Sequence, residues 1–280
     1  MPPAKTKYRT FSAVLLAGLV LYFLLSPLNL PLYNFLLFPR TDRKIRAVPA
    51  DYLASMPGSA LEEVYFSNSE GLSLHGLLLR NPGTKRVFLL SHGKGNNVYL
   101  ELSHARFLYN FGSVFMYDYR GFGKSDGTAS VAGTCSDALA AYDYLRKEGF
   151  RASDIVAFGQ SFGTGVSAYL SKKRPVKAIV FQSGYSSLHS AGRRKLPWLS
   201  LYPDWMFRYI DLDNDAALRS DHPPLLAFHG SKDPEIPVEE SIALCRRARP
   251  KVTLILLPNG GHLAYGANGE FQKAMAEFLK

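Results

Sequence analysis

Ser161 stands in Gly159-Gln160-Ser161-Phe162-Gly163, between a short apolar run at residues 155–158 and a helix-compatible stretch at residues 164–171. Strand, Gly-x-Ser-x-Gly, helix is the context that forces a serine onto a sharp turn, because bulk at either glycine would collide with the adjoining strand or helix. Such a turn holds the hydroxyl above the sheet edge and aims the first free N–H groups of the helix at the same point. Serine is a poor nucleophile at neutral pH; it needs a base, and the base needs a group that orients it. Two later stretches supply those types. The apolar run at residues 225–228 leads into His229-Gly230-Ser231-Lys232-Asp233, and the run at residues 252–257 leads into Pro258-Asn259-Gly260-Gly261-His262. Serine, acid and histidine thus follow one another, each just past a strand end, as this chemistry requires in an α/β layer.

The pentapeptide alone is compatible with an ordinary tight turn; the three placements together are far more specific. His75, His92, His104, His189, His222 and His229 have no comparable position for a base. The roles divide accordingly. Ser161 attacks a carbonyl carbon, His262 takes its proton and returns it to the leaving group, and Asp233 holds the imidazole in the useful tautomer. The oxyanion needs fixed donors, expected at the backbone N–H of Phe162 and, from the turn Ser91-His92-Gly93-Lys94-Gly95-Asn96-Asn97, the N–H of Lys94. Expected substrate contacts are His92, Gly93 and Gln160, with Trp198 and Trp205 from a covering segment. No metal or cofactor is called for. Cys135 and Cys245 make neither a disulfide framework nor a zinc site, and read as small apolar helix residues.

These residues need a scaffold of buried parallel strands. Residues 86–90, 114–117, 155–158, 178–181, 225–228 and 252–257 are nearly continuous apolar runs, as a sheet covered on both faces demands. Residues 63–66 and 72–79 read as an antiparallel pair joined at 68–71. Amphipathic stretches at 136–147, 237–247 and 270–279 supply covering helices. The expected fold is α/β, a doubly wound, mostly parallel sheet of about eight strands over residues 60–280. Within it, residues 187–223 lose periodicity and gather Trp198, Tyr202, Trp205, Phe207 and Tyr209, which reads as a small lid over the strand ends.

The chain carries 33 Lys and Arg against 23 Asp and Glu, a net charge of +10. Much of that excess flanks one apolar segment: Lys5, Lys7 and Arg9 before it, Arg40, Arg43, Lys44 and Arg46 after it. No nucleic-acid motif accompanies the remaining basic clusters, and no nucleic-acid partner is expected. Residues 11–38 contain no charged side chain. The expectation is therefore an uncleaved single-pass membrane anchor over residues 1–39, followed by a linker over 40–59. Basic residues at both ends leave its orientation open.

The later chain, residues 60–280, resembles the α/β-hydrolase superfamily, and is most similar to membrane-anchored serine hydrolases with one N-terminal span and a small lid. The resemblance rests on the His92 to Asn97 turn, on Asp118-Tyr119-Arg120-Gly121-Phe122-Gly123-Lys124-Ser125-Asp126-Gly127, on the elbow, and on the His229-Gly230-x-x-Asp233 and Gly261-His262 loops. Lys94-Gly95-Asn96 departs from the Asn-Ala-Gly common among such proteins. The resemblance implies a hydrolase of carboxylic esters or thioesters of acyl or lipid-like substrates, with Arg120 as structural support. An aminopeptidase-like amide hydrolase and a non-catalytic binding protein are the alternatives.

Overall fold

The computed structural model describes residues 4–38, 47–207, 212–249, 251–265 and 269–280, without the side chains of residues 4–11. Two helices lead the chain: α1, Ala4–Leu24, and α2, Leu30–Leu37. Then follow β1 (Ala60–Ser67), β2 (Ser73–Arg80), β3 (Val87–Ser91), α3 (Leu102–Tyr109), β4 (Ser113–Tyr117), α4 (Val131–Lys147), β5 (Ile155–Gln160), α5 (Phe162–Lys173) and β6 (Ala178–Gln182). The rest comprises α6 (Leu188–Lys195), two 3-10 turns (Pro197–Leu201 and Asp204–Phe207), α7 (Asn214–Arg219), β7 (Leu225–Gly230), α8 (Val238–Arg247), β8 (Val252–Leu257) and α9 (Glu270–Phe278).

The strands form one eight-stranded sheet in the order β1-β2-β4-β3-β5-β6-β7-β8. β2 runs antiparallel to both neighbours, and every pair from β4 to β8 is parallel. This is the sheet expected from the apolar runs. Every residue of β3, β4, β5, β6 and β7 is buried, which explains why these strands read as continuous rather than alternating patterns. Along each strand, successive side chains go to opposite faces. Leu89, Phe115 and Ala157 pack with α4 and α5, whereas Phe88, Leu90, Val114, Val156 and Phe158 pack with α3 and α9.

Helix α4 starts at Val131, five residues before the expected Ser136. Ser130 is the reason: its extended backbone and its side chain, which accepts from Gly133 N at 3.1 Å, cap the first turn. The segment expected as a lid contains α6, the 3-10 turns and α7 between β6 and β7; Tyr209 lies outside the described residues. The expected linker over 40–59 lies partly outside them too. Its described part is packed: Tyr52 and Met56 are buried, and Tyr52 donates to Leu102 O at 2.7 Å.

The expectation of a single-pass membrane span, and with it a membrane partner and location, is overturned: no helix among the described residues is long and apolar enough to cross a membrane. α1 spends its first turns on Lys5, Lys7 and Arg9, and ends at Leu24 before the turn at Ser26-Pro27. The uncharged run from Phe11 to that end is roughly 21 Å of helix, against about 30 Å of hydrocarbon core. Past the turn, the chain folds back. Tyr33 and Phe38 are buried against the later chain, Val131 N donates to Asn34 Oδ1 at 3.3 Å, and Tyr202 Oη donates to Tyr22 O at 2.9 Å.

Candidate active site

The turn between β5 and α5 holds Ser161 at φ 50°, ψ −118°, a left-handed conformation that costs a non-glycine residue about 1–3 kcal/mol and persists only under strong local constraint. The glycines supply the constraint. A Cβ on Gly159 would lie 2.4 Å from Gly163 O, and one on Gly163 would lie 1.9 Å from Ser91 O. Strand and helix approach so closely that only glycine fits at either side. Ser161 N donates to Gln182 O at 2.8 Å, and Thr164 N closes the turn on Ser161 O at 3.0 Å. Phe162, the first residue of α5, carries an N–H with no acceptor inside the helix.

The acid and histidine loops are fastened to each other. A Cβ on Gly230 would lie 2.3 Å from both Gly260 O and Gly261 O, and Lys232 N donates to Gly260 O at 2.9 Å. Asp233 Oδ1 accepts from Glu235 N at 2.8 Å and Ile236 N at 3.0 Å. Its Oδ2 lies 2.7 Å from His262 Nδ1 and 3.2 Å from His229 Nε2. Burial works against the charge on Asp233, but the two imidazoles and two backbone N–H groups outweigh it and hold the carboxyl well below the usual carboxylate range. An ionised Asp233 makes Nδ1 of His262 the donor and leaves the lone pair on Nε2.

Gln182, at the end of β6, joins the two halves. Its backbone oxygen accepts from Ser161 N, and its side chain donates to Ala264 O at 3.0 Å, two residues past His262. Leu263 N also donates to Ser183 Oγ at 3.4 Å. Ser161, Ser183 and Leu263 all have positive φ (50°, 55° and 58°), so backbone strain concentrates at this one rim. Among the described residues, no hydrogen bond joins Ser161 to His262; the structure brings them to the same strand end without closing that contact.

The third side is the turn after β3. A Cβ on Gly93 would lie 3.7 Å from Ser161 Cβ, and Lys94 lines the same cavity as Ser161 and Phe162. Beneath the turn lies Glu101, a fully buried carboxylate the sequence reading did not single out. Asn96 Nδ2 donates to it, and the Gln160 amide, turned so that its nitrogen faces Glu101, donates to it at 2.9 Å. Burial disfavours its charge, yet hydrogen bonding and the field of His104 leave its carboxyl lowered. It ties the turn carrying Lys94 to the residue before Ser161.

A cavity of about 420 Å³ opens at Ser161. Its walls come from the segment after β6 (Leu188, Leu196, Leu199), from Ile236, and from α2 (Leu36, Leu37). The expected substrate contacts do not line it. His92 is buried with Nδ1 donating to Gly93 O at 2.7 Å and its ring 4.2 Å from Tyr119; burial pushes its pKa down. Gln160 is buried under the turn, Trp198 packs edge-on against Tyr202, and Trp205 is 60% exposed. Gly93 lies beside the serine and outside the cavity lining. Conversely, nothing in the sequence signals that α2 borders the cavity or that His229 lies beside Asp233: an apolar helix far upstream reads the same whether it meets lipid or protein. Arg120 pairs with Asp137 at 2.8 Å and Glu70 at 2.9 Å, as structural support would.

The architecture is that of an α/β hydrolase. A family model described as "alpha/beta hydrolase fold" matches residues 86–217. Together with the fold, this supports the chain's place in the α/β-hydrolase superfamily; a membrane-anchored branch gains no support. The chain is 29% identical to the uncharacterized protein YfhR of Escherichia coli O157:H7 over 239 residues, 81% of this chain and 82% of that one. It is 27% identical to the alpha/beta hydrolase domain-containing protein WAV2 of Arabidopsis thaliana over 244 residues, 78% of each. The Pyrococcus furiosus esterase Pf2001 has a similar structure, with TM-score 0.67 and 20% identity over 86% of this chain and 97% of that one. The same holds for Est1E of Butyrivibrio proteoclasticus with ferulic acid bound, TM-score 0.61 and 18% identity over 77% and 96%.

Proposed function

We propose that the protein is a serine hydrolase that cleaves carboxylic esters or thioesters of acyl substrates through an acyl-enzyme, with Ser161, His262 and Asp233 as its triad. One observation carries the reading: a His262–Asp233 pair at 2.7 Å is anchored through Gln182 to the turn that holds Ser161. The Ser161–His262 hydrogen bond forms when substrate arrives, a tightening common at such sites. Ser161 Oγ then bonds to the carbonyl carbon as its proton passes to His262 Nε2. The oxyanion is held by the N–H groups of Phe162 and Lys94, each such donor being worth about 3 kcal/mol of barrier. Collapse breaks the bond to the alcohol or thiol, which leaves with the proton from His262. Water then repeats the sequence on the acyl-enzyme and releases the acid.

The esterases among proteins of similar fold agree with this chemistry. An aminopeptidase-like reading needs a free acid to hold a substrate ammonium, and the acid at the cavity, Glu235, is already paired with Lys195 at 2.8 Å. A non-catalytic binding protein would not need the strained serine. The test is labelling by an alkyl fluorophosphonate, with hydrolysis of p-nitrophenyl and thioester acyl substrates. Wild type should label and turn over, and Ser161→Ala should do neither. A folded wild type that does not label overturns the proposal.

A further inference from the structure

Helix α2 lies about 120 residues ahead of Ser161 in the chain, yet Leu36 and Leu37 form part of the same cavity wall. Its placement is fixed on several sides. Asn29 caps it by accepting from Leu32 N at 3.4 Å. Tyr33 is 6% exposed among Leu199, Tyr202, Met206 and Phe207. At the far end, Phe38 sits edge-on to Phe162 with ring centroids 5.3 Å apart. The helix therefore abuts both the segment after β6 and the first residue of the nucleophile turn.

The wall it completes is aliphatic. Leu36 and Leu37 face the same space as Leu188, Leu196, Leu199 and Ile236. On the side of the segment after β6 the charged groups are paired, Lys195 with Glu235 and Arg194 with Glu240, and Lys94 lies at the Ser161 end of the cavity. A polar group carried deep among such side chains would lose its water with no partner to replace it, at a cost of about 1–3 kcal/mol. A hydrocarbon chain meets no such penalty, and gains about fourfold in affinity for each methylene buried. The volume, about 420 Å³, falls within the ~300–1,000 Å³ of pockets that enclose small ligands.

We infer that α2 is the acyl-chain wall of this pocket, and that Leu36 and Leu37 set how long an unbranched hydrocarbon acyl group the site accepts. The inference rests on the serine-hydrolase reading for its catalytic test, but not for its binding test. The first measurement is the ratio of kcat/KM for p-nitrophenyl dodecanoate to that for p-nitrophenyl acetate. Leu36→Trp fills the wall and should lower the ratio by at least about tenfold, since about two methylenes lose burial at about fourfold each. Leu36→Ala should shift the preferred chain length upward. Phe35→Trp makes the same change on a residue of α2 that is 65% exposed and outside the cavity, and should leave the ratio as in wild type. An unchanged ratio in both Leu36 variants, with Tm near wild type, overturns the inference while leaving the hydrolase reading intact.

The second measurement needs no turnover: calorimetric titration of hexanoate, octanoate and dodecanoate into Ser161→Ala protein. Affinity should rise with chain length at a stoichiometry of one, and adding Leu36→Trp should remove most of that rise. Should wild type hydrolyse no ester, this titration still decides. Affinity independent of chain length, or a rise that survives Leu36→Trp, overturns the inference.

Discussion

The turn at Ser161 and helix α1 are both short stretches rich in small or apolar residues, yet their surroundings differ completely. At the turn, backbone from β3, β5 and α5 closes in so tightly that an added methyl at Gly163 would fall 1.9 Å from Ser91 O. On α1, Val14, Leu16, Leu19 and Phe23 are each at least half exposed, and a Cβ on Gly18 would meet nothing within 4 Å. One glycine is obligatory and the other is incidental. The difference shows that composition marks what a segment could bury, while close approach of backbones decides what it cannot change.

The largest effect on folding at the turn should come from breaking the tight side. Gly163→Ala drives a methyl into Ser91 O, so the elbow must open; overpacking of this kind costs about 1–3 kcal/mol or more. Gly18→Ala in α1 should instead be neutral or slightly stabilising, because alanine favours a helix by about 1 kcal/mol over glycine. Thermal melts of the two variants give the contrast directly. If they behave alike, the packing at the turn is not as described.

Next is chemistry held by that packing. On the proposed mechanism, Ser161→Ala should reduce ester turnover by at least about 10⁴-fold, the scale set by nucleophile removal in serine hydrolases, with little change in Tm. A residual rate near wild type would assign the chemistry elsewhere. Asp233→Asn should lower kcat by about 10⁴-fold, as loss of the orienting acid does in a triad.

Asp233 also makes a prediction about pH. Its native carboxyl is held below its ordinary value of about 4, so the unfolded chain binds its proton first as pH falls. The stability it confers is full above about pH 4 and is lost as pH drops from there through the depressed native value. Urea midpoints of wild type and Asp233→Asn should therefore differ by a constant amount near neutrality and converge in acid. A gap that widens in acid would mean that Asp233 is not ionised in the folded protein.

The same contrast recurs within the N-terminal pair. Tyr33→Ala removes a ring buried among Leu199, Tyr202 and Phe207 and should cost about 3 kcal/mol. Val14→Ser, at a side chain 67% exposed, should stay within about 0.5 kcal/mol. Chemical denaturation of both measures whether α2, unlike α1, belongs to the folded core.

Much of the scaffold could be read from the residues. Apolar runs of strand length, with no polar alternation, specify buried parallel strands, and five of them are completely buried. The antiparallel β1–β2 pair was equally legible, because Asn68 to Gly71 supplies turn-forming residues between two strand-like runs. Ser161, Asp233 and His262 could be proposed together because each follows a strand, and strand ends share one rim of the sheet. The boundaries were less legible: α4 begins early because Ser130 caps it, a signal overshadowed by the Gly133 inside its first turn.

What the sequence could not supply is contact between segments far apart. An uncharged stretch at residues 11–38 satisfies any apolar environment, so its pattern alone could not show that residues 30–38 fold back onto the later chain, where Tyr33 and Phe38 are buried. Trp198 and Trp205 are expected substrate contacts from their composition, but local composition carries no information about direction, and the cavity at Ser161 is lined by Leu36 and Leu37 rather than by either ring. Side-chain type and order fixed which chemistry was possible. Only the tertiary structure decided which surfaces enclose it, because that depends on long-range packing, which no local pattern encodes.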